Sequence, residues 1–265
     1  METQSTNKPE TELISEPEAK SKLPARSRTP SKKILNPEAK PIPSPESQPK
    51  PPARSRTPSK KILKLPIPEE LLILTIDDNG GSVAAPTRTM LHNGLAAAFL
   101  AELVLTKKMQ LAEDRLTISS RTPTGDALYD DILSMIAAEK KPRRLSHWIQ
   151  AIGSKLTIKQ VALRLVERKV IVIEKRQYSW IIPYPAFPLV EASAKYQVKQ
   201  HLRGIVLAGE PASPADLALL CLLKACRLLR LVFTRDERKF ADKKVDVLVQ
   251  GEVFGEAVAK LLSEK

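Results

Sequence analysis

The chain has 265 residues, 42% hydrophobic and 28% charged, which leaves room for one sizeable packed domain plus extensions. Its net charge of +13 points to anionic partners. No apolar run reaches the roughly 20 residues needed to span a bilayer, and residues 1–20 are too polar and acidic for a signal peptide, so membrane attachment is expected to be peripheral.

Residues 1–64 are dominated by Pro, Lys, Ser and Glu without apolar periodicity, and are expected to form a disordered tail. Within it, Pro24 to Leu35 recurs identically as Pro52 to Leu63. Two copies of a basic linear motif open to phosphorylation, or a recently duplicated linker, are equally good readings. The tail holds 14 basic and 7 acidic residues, leaving 29 and 23 in the remainder, so the folded part is itself basic.

A single domain is expected over 65–265, mainly α-helical with a small β-hairpin. Glu69 to Asp77 predicts a short apolar helix, with acids in its first turn, before an Asp78-Asn79-Gly80-Gly81 turn. Thr89 to Lys107 reads as a helix buried nearly all round. Short strands at 109–111 and 116–119 flank Glu113-Asp114. Thr124 is expected to cap a helix running to Ala138, and Lys140 to Arg144 to form a basic turn. A short helix from Ser146 and an amphipathic one over Thr157 to Arg168 come next.

Val170–Ile173 and Tyr178–Ile182 predict a hairpin with Glu174 to Gln177 at its tip, stopped by Pro183, Pro185 and Pro188. Helices are expected over 190–207, 214–232, 235–250 and 252–263. Cys221 and Cys226 fall on different helix faces and read as buried thiols without a disulfide.

No nucleotide-binding glycine loop or nucleophile elbow is present, and the three histidines lack metal-ligand spacing. No catalytic residue, metal or cofactor is expected. At the hairpin, Tyr178, Trp180, Ile181 and Ile182 accompany Lys175 and Arg176. Aromatic and apolar groups beside cations suit an anionic membrane surface, although alternate strand residues could equally fill the core.

The order of motifs resembles the Golgi phosphoprotein 3 (GPP34) family. It comprises Glu69-Glu70-Leu71-Leu72, the acidic-Gly turn, Leu100-Ala101-Glu102-Leu103, Pro123-Thr124-Gly125-Asp126, a short Trp148 helix and Leu165-Val166-Glu167-Arg168. The resemblance implies a non-enzymatic peripheral adaptor on the cytosolic face of the Golgi, recognising phosphatidylinositol 4-phosphate or another anionic lipid. It also implies vesicle trafficking, with the cytosolic tails of glycosyltransferases and the vesicle coat as partners. In the family's eukaryotic members a Trp, an Arg in the long helix and two further Arg form the headgroup pocket. Here those positions fall near Thr87, at Ala96, near Lys155 and between Ile158 and Lys159. The headgroup site expected from the resemblance is therefore Arg88, Lys155, Lys159 and Arg164, with hairpin residues 175–182 at the membrane. Self-association into a homo-oligomer stays open.

The alternative is a winged-helix nucleic-acid-binding protein, because a helix and a two-stranded wing follow one another over 157–182. Against it, the helix carries Glu167 among its cations, and exposed aromatics are few.

Overall fold

The computed structural model describes residues 64–84, 88–178 and 182–250, apart from the side chains of Tyr178 and Ile182. The duplicated tail, Thr87, hairpin residues 179–181 and the helix expected over 252–263 lie outside the described residues.

Helix α2 (Arg88–Leu105) is the axis of the fold. Its Leu, Ala and Phe residues are buried from Leu91 to Leu103 on nearly every face, as continuous apolar content requires. Around it pack α1 (Ile67–Thr75), α4 (Leu145–Lys155) and α7 (Pro214–Ala225). Helix α5 (Ile158–Glu167) packs on α1. Helices α3 (Ala127–Ala137), α6 (Ala192–Arg203) and α8 (Arg238–Leu248) complete the described helices.

The helix ends follow their sequences. Thr157 and Gln160 form a capping box on α5, and Ser213 and Asp216 form another on α7 with Pro214 at its start. Helix α1 lacks a side-chain cap; instead its Ile67 N–H donates to Glu102 of α2 at 3.0 Å. Helix α3 starts later than expected, because Asp126 caps it by accepting from the Leu128 and Tyr129 N–H groups. Thr124 does not cap: its N–H and hydroxyl both donate to Asp130 at 2.7 Å. A carboxylate satisfies two free donors of the first turn more strongly than a hydroxyl could.

Strands β1 (Met109–Ala112) and β2 (Arg115–Ile118) pair antiparallel around Glu113-Asp114, as expected. The predicted basic turn contributes a third strand, β3 (Arg143–Arg144), along β2.

The second hairpin is displaced by four residues. Strands β4 (Glu174–Tyr178) and β5 (Ile182–Ala186) pair with Tyr178 opposite Ile182. The residues expected at the tip are therefore strand. Val170 and Ile171 are apolar because they enter the core, each 1% exposed. Pro183 and Pro185 lie inside β5, opposite Gln177 and Lys175. Alternate residues direct their nitrogens to the same edge, so both prolines fit the outer side of a two-stranded ribbon without loss of a ladder bond.

The helix expected over 190–207 divides into α6 and a π-helical turn, Gly204–Ala208. Helix α7 ends earlier than expected and passes through a 3-10 turn, Leu229–Leu231, before α8.

Candidate functional site

Helices α2 and α4 cross closely. A Cβ added at Gly153 would lie 2.6 Å from Asn93 Oδ1, so glycine is what permits the approach. At the α2 start the crossing opens into a cleft of about 340 Å³, lined by Arg88, His92 and Asn93 from α2 and Gln150, Gly153 and Ser154 from α4. The first turn of α2 has no acidic residue, so its positive dipole end is not neutralised there. His92 Nε2 is buried without a hydrogen-bond partner among the described residues. Burial, and then Arg88, lower the proton affinity of this imidazole.

Arg88 is exposed on this cleft, Lys155 is exposed at the last position of α4, and Lys159 is exposed in the first turn of α5. None of the three has an ion-pair partner among the described residues. Ala96, where the family's helix arginine falls, is fully buried.

Arg164 stands apart from them. Its Nε meets Glu69 Oε1 at 2.9 Å and its Nη1 pairs with Asp126 Oδ2, while the guanidinium lies 5.1 Å from the Tyr129 ring centroid and 5.8 Å from that of Phe99. Only 11% of the side chain is exposed. Glu69 is fully buried, and Arg168 Nε lies 2.6 Å from its Oε2 without the alignment of a hydrogen bond. Burial raises the proton affinity of Glu69, while Arg164 and Arg168 oppose this. A charged residue inside the apolar run of α1 was the sequence signal for this junction: it demands a buried cation. Asp126 is thus an ion-pair partner as well as a cap.

Of the hairpin residues, Lys175 is exposed on β4, and Arg176 pairs with Glu174 at 3.2 Å. Both lie on the strand, and Trp180 and Ile181 lie outside the described residues.

A second cleft, of about 460 Å³, contains Glu70, Gln197, His201 and Asp216. His201 Nε2 and Asp216 Oδ1 are 3.0 Å apart. Burial, then the neighbouring Asp216 and Glu102, push the Glu70 carboxyl up to about 8. Below its ordinary value of 4.5 the group is protonated whether folded or unfolded. Between there and about 8 the unfolded chain releases the proton and the folded chain keeps it, so stability falls as pH rises through that window. Glu70→Gln is expected to match the parent at pH 4 and exceed it by about 1–3 kcal/mol at pH 8. Urea melts at the two pH values check this, and an equal effect at both would contradict it.

Among the described residues no cluster of His, Cys, Asp or Glu is placed to hold a metal, and no helix is long and apolar enough to cross a membrane. Cys221 and Cys226 are both buried. The arrangement defines a helical domain with small antiparallel sheets, carrying exposed cations at the start of its central helix and at the α4–α5 junction that have no ion-pair partner among the described residues. The family model for Golgi phosphoprotein 3 (GPP34) matches residues 67–264, and the chain belongs to this family.

Proposed function

We propose that the chain is a non-enzymatic peripheral membrane adaptor whose domain, residues 65–265, binds an anionic lipid while residues 1–64 extend from it as a basic tail. The observation that carries this reading is the set of exposed cations Arg88, Lys155 and Lys159 at the α2 start and the α4–α5 junction, without ion-pair partners among the described residues. Cations without protein partners favour an anionic surface, and the acid-free first turn of α2 adds a positive dipole end.

Phosphatidylinositol 4-phosphate is the headgroup that family membership suggests. With Ala96 buried in place of an arginine, selectivity would rest on Arg88 and the two lysines. The side chains beyond β4, Trp180 and Ile181 among them, would enter the lipid interface. Family membership further suggests the cytosolic face of the Golgi, and glycosyltransferase tails and the vesicle coat as partners. Arg164, already held by Glu69 and Asp126, has no part in headgroup binding in this reading.

Lys155→Glu with Lys159→Glu is expected to weaken binding to vesicles containing phosphatidylinositol 4-phosphate by about thirtyfold or more, at about 1 kcal/mol per cation removed. Both residues are exposed, so the melting temperature should not change. Unchanged binding by a folded double variant would move the lipid site elsewhere.

A further inference from the structure

We propose that the corner formed by the end of α7, the 3-10 turn and the start of α8 is a second anion site, built for a multiply phosphorylated ligand. It is a cleft of about 490 Å³ lined, among the described residues, by five cations, Lys224, Arg227, Arg230, Arg238 and Lys239, and a single acid, Asp242. Lys224 is accounted for: its ammonium lies 3.0 Å from Asp242 and 2.6 Å from Asp246, which ties α7 to α8. Arg227, Arg230, Arg238 and Lys239 are exposed, and none has an ion-pair partner among the described residues.

Like charges gathered in one concavity repel, and a polyanion relieves that repulsion. Guanidinium groups engage phosphate oxygens in pairs, so three arginines suit more than one phosphate group. Helix α8 adds to this. Its first turn has no acid, and its Glu237 cap is already held by Arg203 through two contacts of 2.6 Å. The dipole end therefore favours an anion. Among the described residues no aromatic side chain lines the cleft to stack a nucleobase, and the one acid that lines it is occupied. A phosphorylated polyol, free or as a lipid headgroup, is the chemistry that fits.

The site uses none of the residues of the proposed lipid face, but it lies on a neighbouring element. Cys226, adjacent to Arg227, contacts the Met90 carbonyl in the first turn of α2 through its Sγ at 3.8 Å.

The test uses the full chain and inositol hexakisphosphate as the soluble probe, followed by calorimetry. The variant Arg227→Asn/Arg230→Gln/Arg238→Gln removes three exposed charges, with asparagine suiting the left-handed backbone of Arg227, φ 58°. The control, Lys107→Gln/Lys140→Gln/Lys141→Gln, removes the same charge elsewhere. The expected result is a loss of about tenfold or more in the arginine variant and under about threefold in the control. Flotation on vesicles containing phosphatidylinositol 4,5-bisphosphate separates the sources. A loss there too identifies a lipid-borne headgroup, and a loss confined to the soluble probe identifies a free one. Equal losses in variant and control, an undiminished arginine variant, or a parent chain that binds neither probe would overturn the site. In the Lys155→Glu/Lys159→Glu background the three arginine substitutions should still cause the loss of about tenfold for the soluble probe, so failure of the lipid face and failure of this cleft are told apart.

Discussion

Arg164→Met is expected to lower stability by about 3–5 kcal/mol, the cost of breaking a buried ion pair from one side. Methionine retains much of the volume against Phe99 and Tyr129 but leaves the fully buried Glu69 with only Arg168, which is itself 41% exposed. The effect should depend on pH. Glu69 already binds its proton more tightly than an ordinary carboxyl, and loss of Arg164 removes its largest opposing influence. A folded value raised above the unfolded one makes stability fall as pH climbs from the unfolded range through the folded value. The deficit should therefore be full near pH 8 and shrink in acid. Adding Glu69→Leu should recover most of the loss, since a well-packed apolar pair replaces a buried ionic one at little cost. Urea unfolding of the parent, single and double variants measures all three quantities. A single variant that keeps its stability but loses vesicle binding would return Arg164 to the headgroup site.

Gly81→Ala is the second change expected to be large. Gly81 has φ +66°, a left-handed backbone conformation that disfavours any Cβ. The added carbon would also lie 2.5 Å from Pro188 N and 2.6 Å from the Phe187 carbonyl carbon, atoms of the main chain that cannot rotate away. The Gly81 carbonyl accepts from Phe187 N–H at 2.7 Å, so the turn after α1 and the chain leaving β5 must part together. Strain and overpacking together should cost about 2–4 kcal/mol. The neighbouring Gly80 is the control. Its added Cβ would come no closer than 3.4 Å, to Asp77 Oδ2, and its φ is not in the left-handed region. Gly80→Ala should therefore move the melting temperature little, and similar melting of the two variants would contradict the turn geometry.

What was legible in the sequence is what a local rule decides. The continuous apolar content of α2 announced a central helix, and the amphipathic pattern from Thr157 announced α5. The Glu113-Asp114 hairpin followed from alternation. Non-local competition decided the rest. Thr124 and Asp126 are both good caps, and which one serves depends on Asp130 engaging Thr124. Val170 and Ile171 look like strand because they are apolar, but their apolarity belongs to the core, and the paired strands are the more polar Glu174–Tyr178 and the proline-bearing Ile182–Ala186. Arg164 read as a lipid ligand because it follows Lys159 by about one turn of an amphipathic helix. Its partner Glu69 lies 95 residues earlier, and no local pattern connects the two. Arg227, Arg230, Arg238 and Lys239 are separate surface cations in the sequence, and only the turn between α7 and α8 gathers them.

The most direct test of membrane attachment is the fluorescence of Trp180 in a Trp148→Phe background, with lipid-borne quenchers, during flotation of the full chain on vesicles with and without phosphatidylinositol 4-phosphate. Insertion places a large aromatic side chain in the interface, where its burial contributes about 1.5–3 kcal/mol. Salt-sensitive flotation on the anionic vesicles, with Trp180 quenched as they bind, is the predicted result. Full vesicle binding without quenching would contradict insertion of the hairpin. Failure to float on any anionic vesicle at low salt, with a shifted DNA probe instead, would contradict the adaptor reading itself.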